Sequence, residues 1–175
     1  MPAFLLLFRS LPPAPGDDMK LLLIHANYFN YQAKEKAKAP EEILPEQKAG
    51  GMRDPLIVLA SAEKSDERAS GVIEGTFDEI KSVASKVKAK NIVLFPFAHL
   101  SSDLASPQEA VQIIKCVACK LDEAGYRVLR VPFGWYKAFE FKSKGHPLAV
   151  LSRSVSGKTN AAALPSKVGR CPEMK

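Results

Sequence analysis

Cysteine is scarce in this chain, with three among 175 residues. Cys116, Cys119 and Cys171 form an odd set without a second paired cluster, which argues against a disulfide framework and against a four-thiolate zinc site, and fits a reducing cytoplasm. Cys116-Val117-Ala118-Cys119 has redox-motif spacing. Such thiols need a helix N-terminus to lower their pKa, whereas these fall deep inside an expected helix, so both are expected in the core. Histidine is equally sparse: His25, His99 and His146 lack close ligand spacing, so neither a metal site nor any other cofactor is implied. Long hydrophobic runs are missing too. Phe4 to Phe8 is too short to span a bilayer and its only nearby positive charge, Arg9, follows it, which disfavours both a membrane anchor and a signal peptide. No internal repeat is visible.

What is present suffices for one good core. With 46% apolar and 25% charged residues, the chain reads as a single globular domain with extensions. Met19-Lys20 directly precedes the first convincing strand, so residues 1–18 are set aside as an N-terminal extension, 19–153 as the folded domain and 154–175 as a linker or disordered tail. The net charge of +6 is uneven. Residues 19–153 hold 20 basic against 16 acidic side chains and 154–175 hold four against one, a balance suited to an anionic partner such as RNA or simply to a basic surface.

Leu21 to His25 is a continuous aliphatic run, as a strand buried on both faces requires, and Tyr28 to Gln32 is expected to pair back on it after a tight turn at Asn27. Residues 36–54, with Gly50-Gly51, read as a mobile surface excursion. Leu56 to Ala60 is the next strand. Ile73, Phe77, Ile80, Ala84 and Val87 recur at helical spacing, and Asn91 to Phe95 follows as a strand. Ser106, Pro107 and Glu109 spell a capping box for a second helix that stops at Gly125. Strands near Arg127–Val131, Tyr136–Lys142 and Pro147–Leu151 close the domain, the last two as a hairpin around Ser143-Lys144-Gly145. This order calls for a layered α/β domain, a mixed β-sheet with helices packed on one side.

Two blocks at the ends of apolar runs are unusual: Pro96-Phe97-Ala98-His99-Leu100-Ser101-Ser102 and Phe133-Gly134-Trp135-Tyr136-Lys137-Ala138-Phe139. A core strand has no use for a His before two Ser, or for a Lys among aromatic rings. Both blocks, with Lys144-Gly145-His146-Pro147-Leu148-Ala149 and the opening Met19-Lys20-Leu21-Leu22-Leu23-Ile24-His25, resemble the N-terminal editing domain of archaeal threonyl-tRNA synthetases, in collinear order from Met19 to about Arg153.

The resemblance implies a fold like that of D-aminoacyl-tRNA deacylases, homodimerisation, and hydrolysis of serine from tRNA(Thr) mischarged with it. A synthetase catalytic region would act with it in cis or in trans. The Ser-Gln-Phe-Thr and Gly-Pro-Val-Thr motifs of the D-aminoacyl enzymes are absent, which favours the L-seryl branch. By the same resemblance Lys137 is the key charged residue and His99 the site histidine, which would orient water, ribose or the seryl group; Tyr136 and Phe139, neighbours of Lys137 in the chain, are expected to limit its solvation. Tyr136, Ala62, Glu63 and Phe133 belong to the pocket, Pro96, Phe97 and Ala98 offer main-chain contacts to the aminoacyl end, and Ala110 lies near the terminal adenine. His25 and His146 are expected to be structural. Ser101 and Ser102 have no evident triad partner. One departure stands out: the family carries an acidic residue after the final Leu-Ala, where this chain has Val150. Two other readings compete, a non-catalytic tRNA-binding module and a D-aminoacyl-tRNA deacylase.

Overall fold

The computed structural model describes residues 19–68 and 71–157. The chain runs β1 (Met19–Lys36), β2 (Ala49–Arg53), β3 (Pro55–Ser61), α1 (Val72–Val87), β4 (Asn91–Pro96), α2 (Pro107–Glu123), β5 (Arg127–Arg130), β6 (Trp135–Ser143) and β7 (Val150–Val155). The fold is the expected mixed α/β layering. Residues 1–18 and the tail after residue 157 lie outside the described part, but β7 itself carries through Ser154 and Val155, two residues past the expected boundary.

Four antiparallel pairings, all to β1, organise the sheet. β1 pairs along one edge with β3 through residues 20–25 and with β2 through 28–32; along the other it pairs with β7 through 19–24 and with β6 through 26–36. The turn expected at Asn27 is therefore absent. β1 crosses that point as one strand with a register irregularity between Ala26 and Phe29, and its second half finds new partners instead of folding back. The excursion expected over 36–54 contains β2, whose Gly50 and Gly51 lie opposite Tyr31 and Asn30. β6 and β7 are not a hairpin, because each is paired to a different half of β1. β4 and β5 then add in parallel beyond β3.

Period-two alternation divides the apolar residues between two cores. Met19, Leu21 and Leu23 of β1, Leu56, Val58 and Ala60 of β3, and Ile92 and Leu94 of β4 face α1 and α2, meeting Ile80, Val83, Ile113, Ile114, Val117 and Leu121. Ile24, Ile57, Leu59, Val93 and Phe95 face the other way, where the second half of β1 folds over them with Phe29 and Tyr31. Both helices thus cover one face and the bent sheet covers the other, which explains why the strands read as unbroken aliphatic runs.

The helix ends follow their sequence signals with one exchange. Ser106 Oγ accepts from the Glu109 N–H at 3.4 Å, but the Ser106 N–H donates to Glu67 Oε1 at 2.5 Å instead of to Glu109, so half of the capping box is built by a distant turn. Gly125 supplies the left-handed stop, at φ 87°. Cys116 is buried in α2 as expected, whereas Cys119 is only half-buried.

His25 and His146 meet where the long strands bend. The Leu148 N–H donates to His146 Nδ1 at 3.2 Å, which leaves the neutral ring's proton on Nε2, facing His25 Nδ1 at 2.8 Å. His25 then carries its proton on Nε2, 3.5 Å from Asp54 Oδ1, close enough for attraction though not aligned as a hydrogen bond. Lys144 pairs with Asp54. Burial holds the His25 pKa below 6.5, with Lys144 and His146 acting in the same direction and Asp54 against them. Protonating His25 on Nδ1 would put two hydrogens on its contact with His146. Below pH 6.5 the unfolded chain binds a proton that the folded one refuses, so stability should fall as acid is added through that window. Urea midpoints between pH 7 and 5 should show this loss in the parent and a smaller slope in His25→Asn.

Candidate active site

The chemistry-bearing segments converge at the carboxyl ends of the parallel strands β3, β4 and β5, where open α/β sheets place their ligands. After β3, Ala62 and Glu63 run beside the segment that follows β4: the Ala105 N–H donates to Ala62 O at 3.0 Å, and Glu63 forms a bridge with Leu104. The Phe97 N–H donates to Ala60 O at 2.8 Å, so the chain leaving β4 is pinned to β3 before it turns through Ala98–Leu100. Beyond β5, the Val131 N–H donates to Leu94 O at 2.9 Å and leads into the turn Pro132–Trp135. Gly134 sits there at φ 72°, and a Cβ on it would come within 2.6 Å of Ala39 O, so only glycine fits.

Lys137 is the centre of the arrangement. On β6, opposite Ala33, its Nζ donates to Pro132 O and to Trp135 O, both at 2.8 Å, and stands 5.3 Å from the Phe95 ring centroid. Burial against that ring lowers its pKa from 10.5 to about 8, while the Glu41 carboxylate pulls the other way. An ammonium has three N–H donors and two are used by these carbonyls, which leaves one for a substrate oxygen. Phe95 is the hub. Its ring meets Phe139 at 5.1 Å, Phe97 at 5.8 Å and Phe29 at 5.9 Å, and Phe97 in turn meets the His99 ring at 5.5 Å. A continuous aromatic path thereby joins Lys137 to His99 across two distant stretches of sequence.

His99 is exposed on its turn and Ala98 beside it is exposed as well, while Pro96 and Phe97 are half-buried. Tyr136 does not shield Lys137. Strand alternation sends it to the opposite face of β6, where it is 64% exposed; Phe139, two residues past Lys137, shares the face of Lys137, and the desolvating ring, from a distant strand, is Phe95. Ala62 and Ala110 are in the helix-side core, and Phe133 packs against it. Glu63 is 2% exposed and its Oε2 finds no hydrogen-bond partner among the described residues. Ser101 Oγ accepts from the Asp103 N–H at 3.1 Å, a turn contact and not a nucleophile's.

The carboxylate near Lys137 comes from an unforeseen place. Val150 opens β7 opposite Ile24, three strands across the sheet from β4. Glu41, in the supposed excursion, faces the site instead: its Oε1 contacts Arg130 Nη1 at 2.5 Å and accepts from the Phe133 N–H at 2.6 Å. Nothing in the local pattern around Pro40-Glu41-Glu42 marks one of two adjacent acids for burial.

These features define an α/β domain with a desolvated lysine and an exposed histidine assembled at the carboxyl edge of a parallel strand set. The model of the archaea-specific editing domain of threonyl-tRNA synthetase matches residues 19–155. Threonine--tRNA ligase of Thermococcus onnurineus is 50% identical over 147 residues, covering 82% of this chain and 23% of the ligase. Those of Methanobrevibacter smithii and Methanocaldococcus jannaschii are 47% and 48% identical over 141 residues each, or 80% of this chain and 23% and 22% of theirs. The chain belongs to the archaeal threonyl-tRNA synthetase editing-domain family, and its match takes in less than a quarter of the length of these relatives. A probable eukaryotic D-amino acid tRNA deacylase superposes at a TM-score of 0.48 with 12% identity, over 77% of this chain and 99% of that one, a likeness on which nothing further rests. Among the described residues, no helix is long and apolar enough to cross a membrane.

Proposed function

We propose that this domain hydrolyses L-seryl-tRNA(Thr), releasing serine misattached in threonyl-tRNA synthesis. The observation that carries the reading is Lys137, held over Phe95 by two carbonyls with one N–H to spare. Serine lacks one methyl of threonine, worth only about 1–3 kcal/mol in a pocket, so fidelity calls for a second, hydrolytic site. Water adds to the ester carbonyl, the bond to the terminal ribose oxygen breaks, and that oxygen takes up a proton. Lys137 stabilises the developing oxyanion or holds the ribose, His99 orients the water or the 2′-hydroxyl, and that hydroxyl assists in activating the water.

The main chain of Pro96, Phe97 and Ala98 receives the aminoacyl end. Ala62, Glu63 and Phe133 bound the pocket beside Lys137, and Ala110 stands toward the terminal adenine. Residues 19–153 with the end of β7 form the editing unit, flanked by an extension and a linker. It works in the cytoplasm, with a synthetase catalytic region in cis or in trans. A homodimer accounts for the exposure of Tyr136, Phe139, Phe141 and Val150, apolar surface that a second copy would cover.

Val150, at a place where the family pattern that this chain resembles is commonly acidic, favours a second reading, a tRNA-binding module without hydrolysis. Purified protein should release serine from L-seryl-tRNA(Thr) much faster than threonine from L-threonyl-tRNA(Thr). Tight tRNA binding with no release selects the binding module, and preferential cleavage of D-aminoacyl-tRNA selects a D-aminoacyl deacylase.

A further inference from the structure

We propose that Glu41 is a positioning residue for Lys137, fixing the Pro132–Trp135 turn whose carbonyls hold the ammonium and supplying the site's nearby negative charge. The proposal rests on the reading of Lys137 as the working group of the site. Its geometry is a division of labour within one turn. The strap after β1 takes up one set of polar groups: the Ala37 N–H donates to Gly134 O at 2.8 Å, the Glu41 N–H to Phe133 O at 3.2 Å, the Phe133 N–H to Glu41 Oε1 at 2.6 Å, and Trp135 Nε1 to Glu41 O at 3.0 Å. Pro132 O and Trp135 O are left pointing at Lys137. Without the strap, a turn containing a left-handed glycine would have several alternative shapes, and the two carbonyls would no longer converge on one nitrogen.

The charges support the same assignment. Glu41 is 9% exposed at its side chain and is met by Arg130 of β5 at 2.5 Å and, more loosely, by Lys115 of α2 at 4.0 Å. Lys137 of β6 is a partly desolvated cation within electrostatic reach of Glu41, and the carboxylate favours its charged form. Glu41 thereby helps fix the place of the ammonium and offsets part of the effect of its burial, without touching a substrate.

The test follows Lys137 directly, by NMR titration of its labelled Cε and Nζ in the parent, Glu41→Gln and Glu41→Asp, beside L-seryl-tRNA(Thr) deacylation across pH. In Glu41→Gln the Lys137 midpoint should fall by about half a pH unit or more, and kcat by about tenfold with a smaller change in KM. Glu41→Asp should recover part of both. Should Glu41→Gln melt below the assay temperature, Trp135→Phe, which deletes only the indole contact to the strap, should lower kcat in the same direction. An unchanged midpoint with unchanged kcat, in Glu41→Gln or in its substitute, overturns the proposal. A parent inactive on seryl-tRNA whose midpoint still moves in Glu41→Gln upholds the positioning role and removes the editing reading. An active parent whose midpoint and kcat both stay fixed in Glu41→Gln does the reverse.

Discussion

Lys137→Ala is expected to lower L-seryl-tRNA(Thr) deacylation roughly 10²–10³-fold at pH 7, the usual loss when a preorganised charged donor leaves a partly desolvated site. Its two carbonyl contacts, at 2.8 Å each, keep the ammonium in one place, so the loss should appear mainly in kcat. The pH dependence is specific. With the Lys137 pKa lowered to about 8, the parent's advantage over the variant should be level below that pH and shrink above it as the ammonium loses its proton. Stability should move the other way. Between about 8 and 10.5 the unfolded chain holds a proton on this lysine that the folded one has released, so the parent carries a burial cost at neutral pH that is relieved as pH rises through that window. Lys137→Met should therefore match or exceed the parent's stability at pH 7, by on the order of 1 kcal/mol once the side chain's partial exposure is discounted. A lysine kept at a net cost to folding is what a working group looks like. A steep drop in melting temperature in Lys137→Met, with serine release intact in Lys137→Ala, would mark it as structural.

Phe95→Ala should be the most damaging single change to fold and site together. The ring is 2% exposed and meets Phe29, Phe97 and Phe139 while lying beneath the Lys137 ammonium. Truncation of a buried phenylalanine costs about 3–5 kcal/mol through lost burial and the cavity left behind. Refilling the cavity with water would hydrate Lys137 and raise its pKa toward 10.5. Phe95→Leu restores most of the volume without the aromatic face, so it should recover much of the stability but less of the activity. Denaturant unfolding and serine release, measured on both variants, separate packing from chemistry; equal recovery of both in Phe95→Leu would show that the ring acts only as filler.

The signals legible in the sequence were the local ones. Aliphatic runs such as Leu56 to Ala60 and Ile92 to Phe95 had to be strands buried on both faces, Ser106 and Gly125 had to bound a helix, and the amphipathic stripe from Ile73 had to face a sheet. Lys137 and His99 stood out because their residue types are costly at the end of an apolar run. Pairing partners were not legible. The local pattern suggests a turn at Asn27 and a hairpin at Gly145, yet β1 continues to Lys36 because β2 and β6 are available to hydrogen-bond its second half. Strand pairing is decided by what lies alongside, which no window of residues contains.

The same reason hid half of the site. Tyr136 is adjacent to Lys137 in the chain but on the other face of the strand, whereas Phe95, 42 positions earlier by the numbering, lies beneath the ammonium. Glu41 read as one charge in a polar stretch until the strap folded onto Phe133 and Trp135. Composition, periodicity and capping signals by themselves determined the layered α/β class and the two helices, and the resemblance of two short blocks singled out Lys137 and His99 as candidates. Only the tertiary structure decided which ring desolvates the lysine, which carbonyls hold it and which carboxylate faces it, because each of those depends on distances between segments that the sheet brings together.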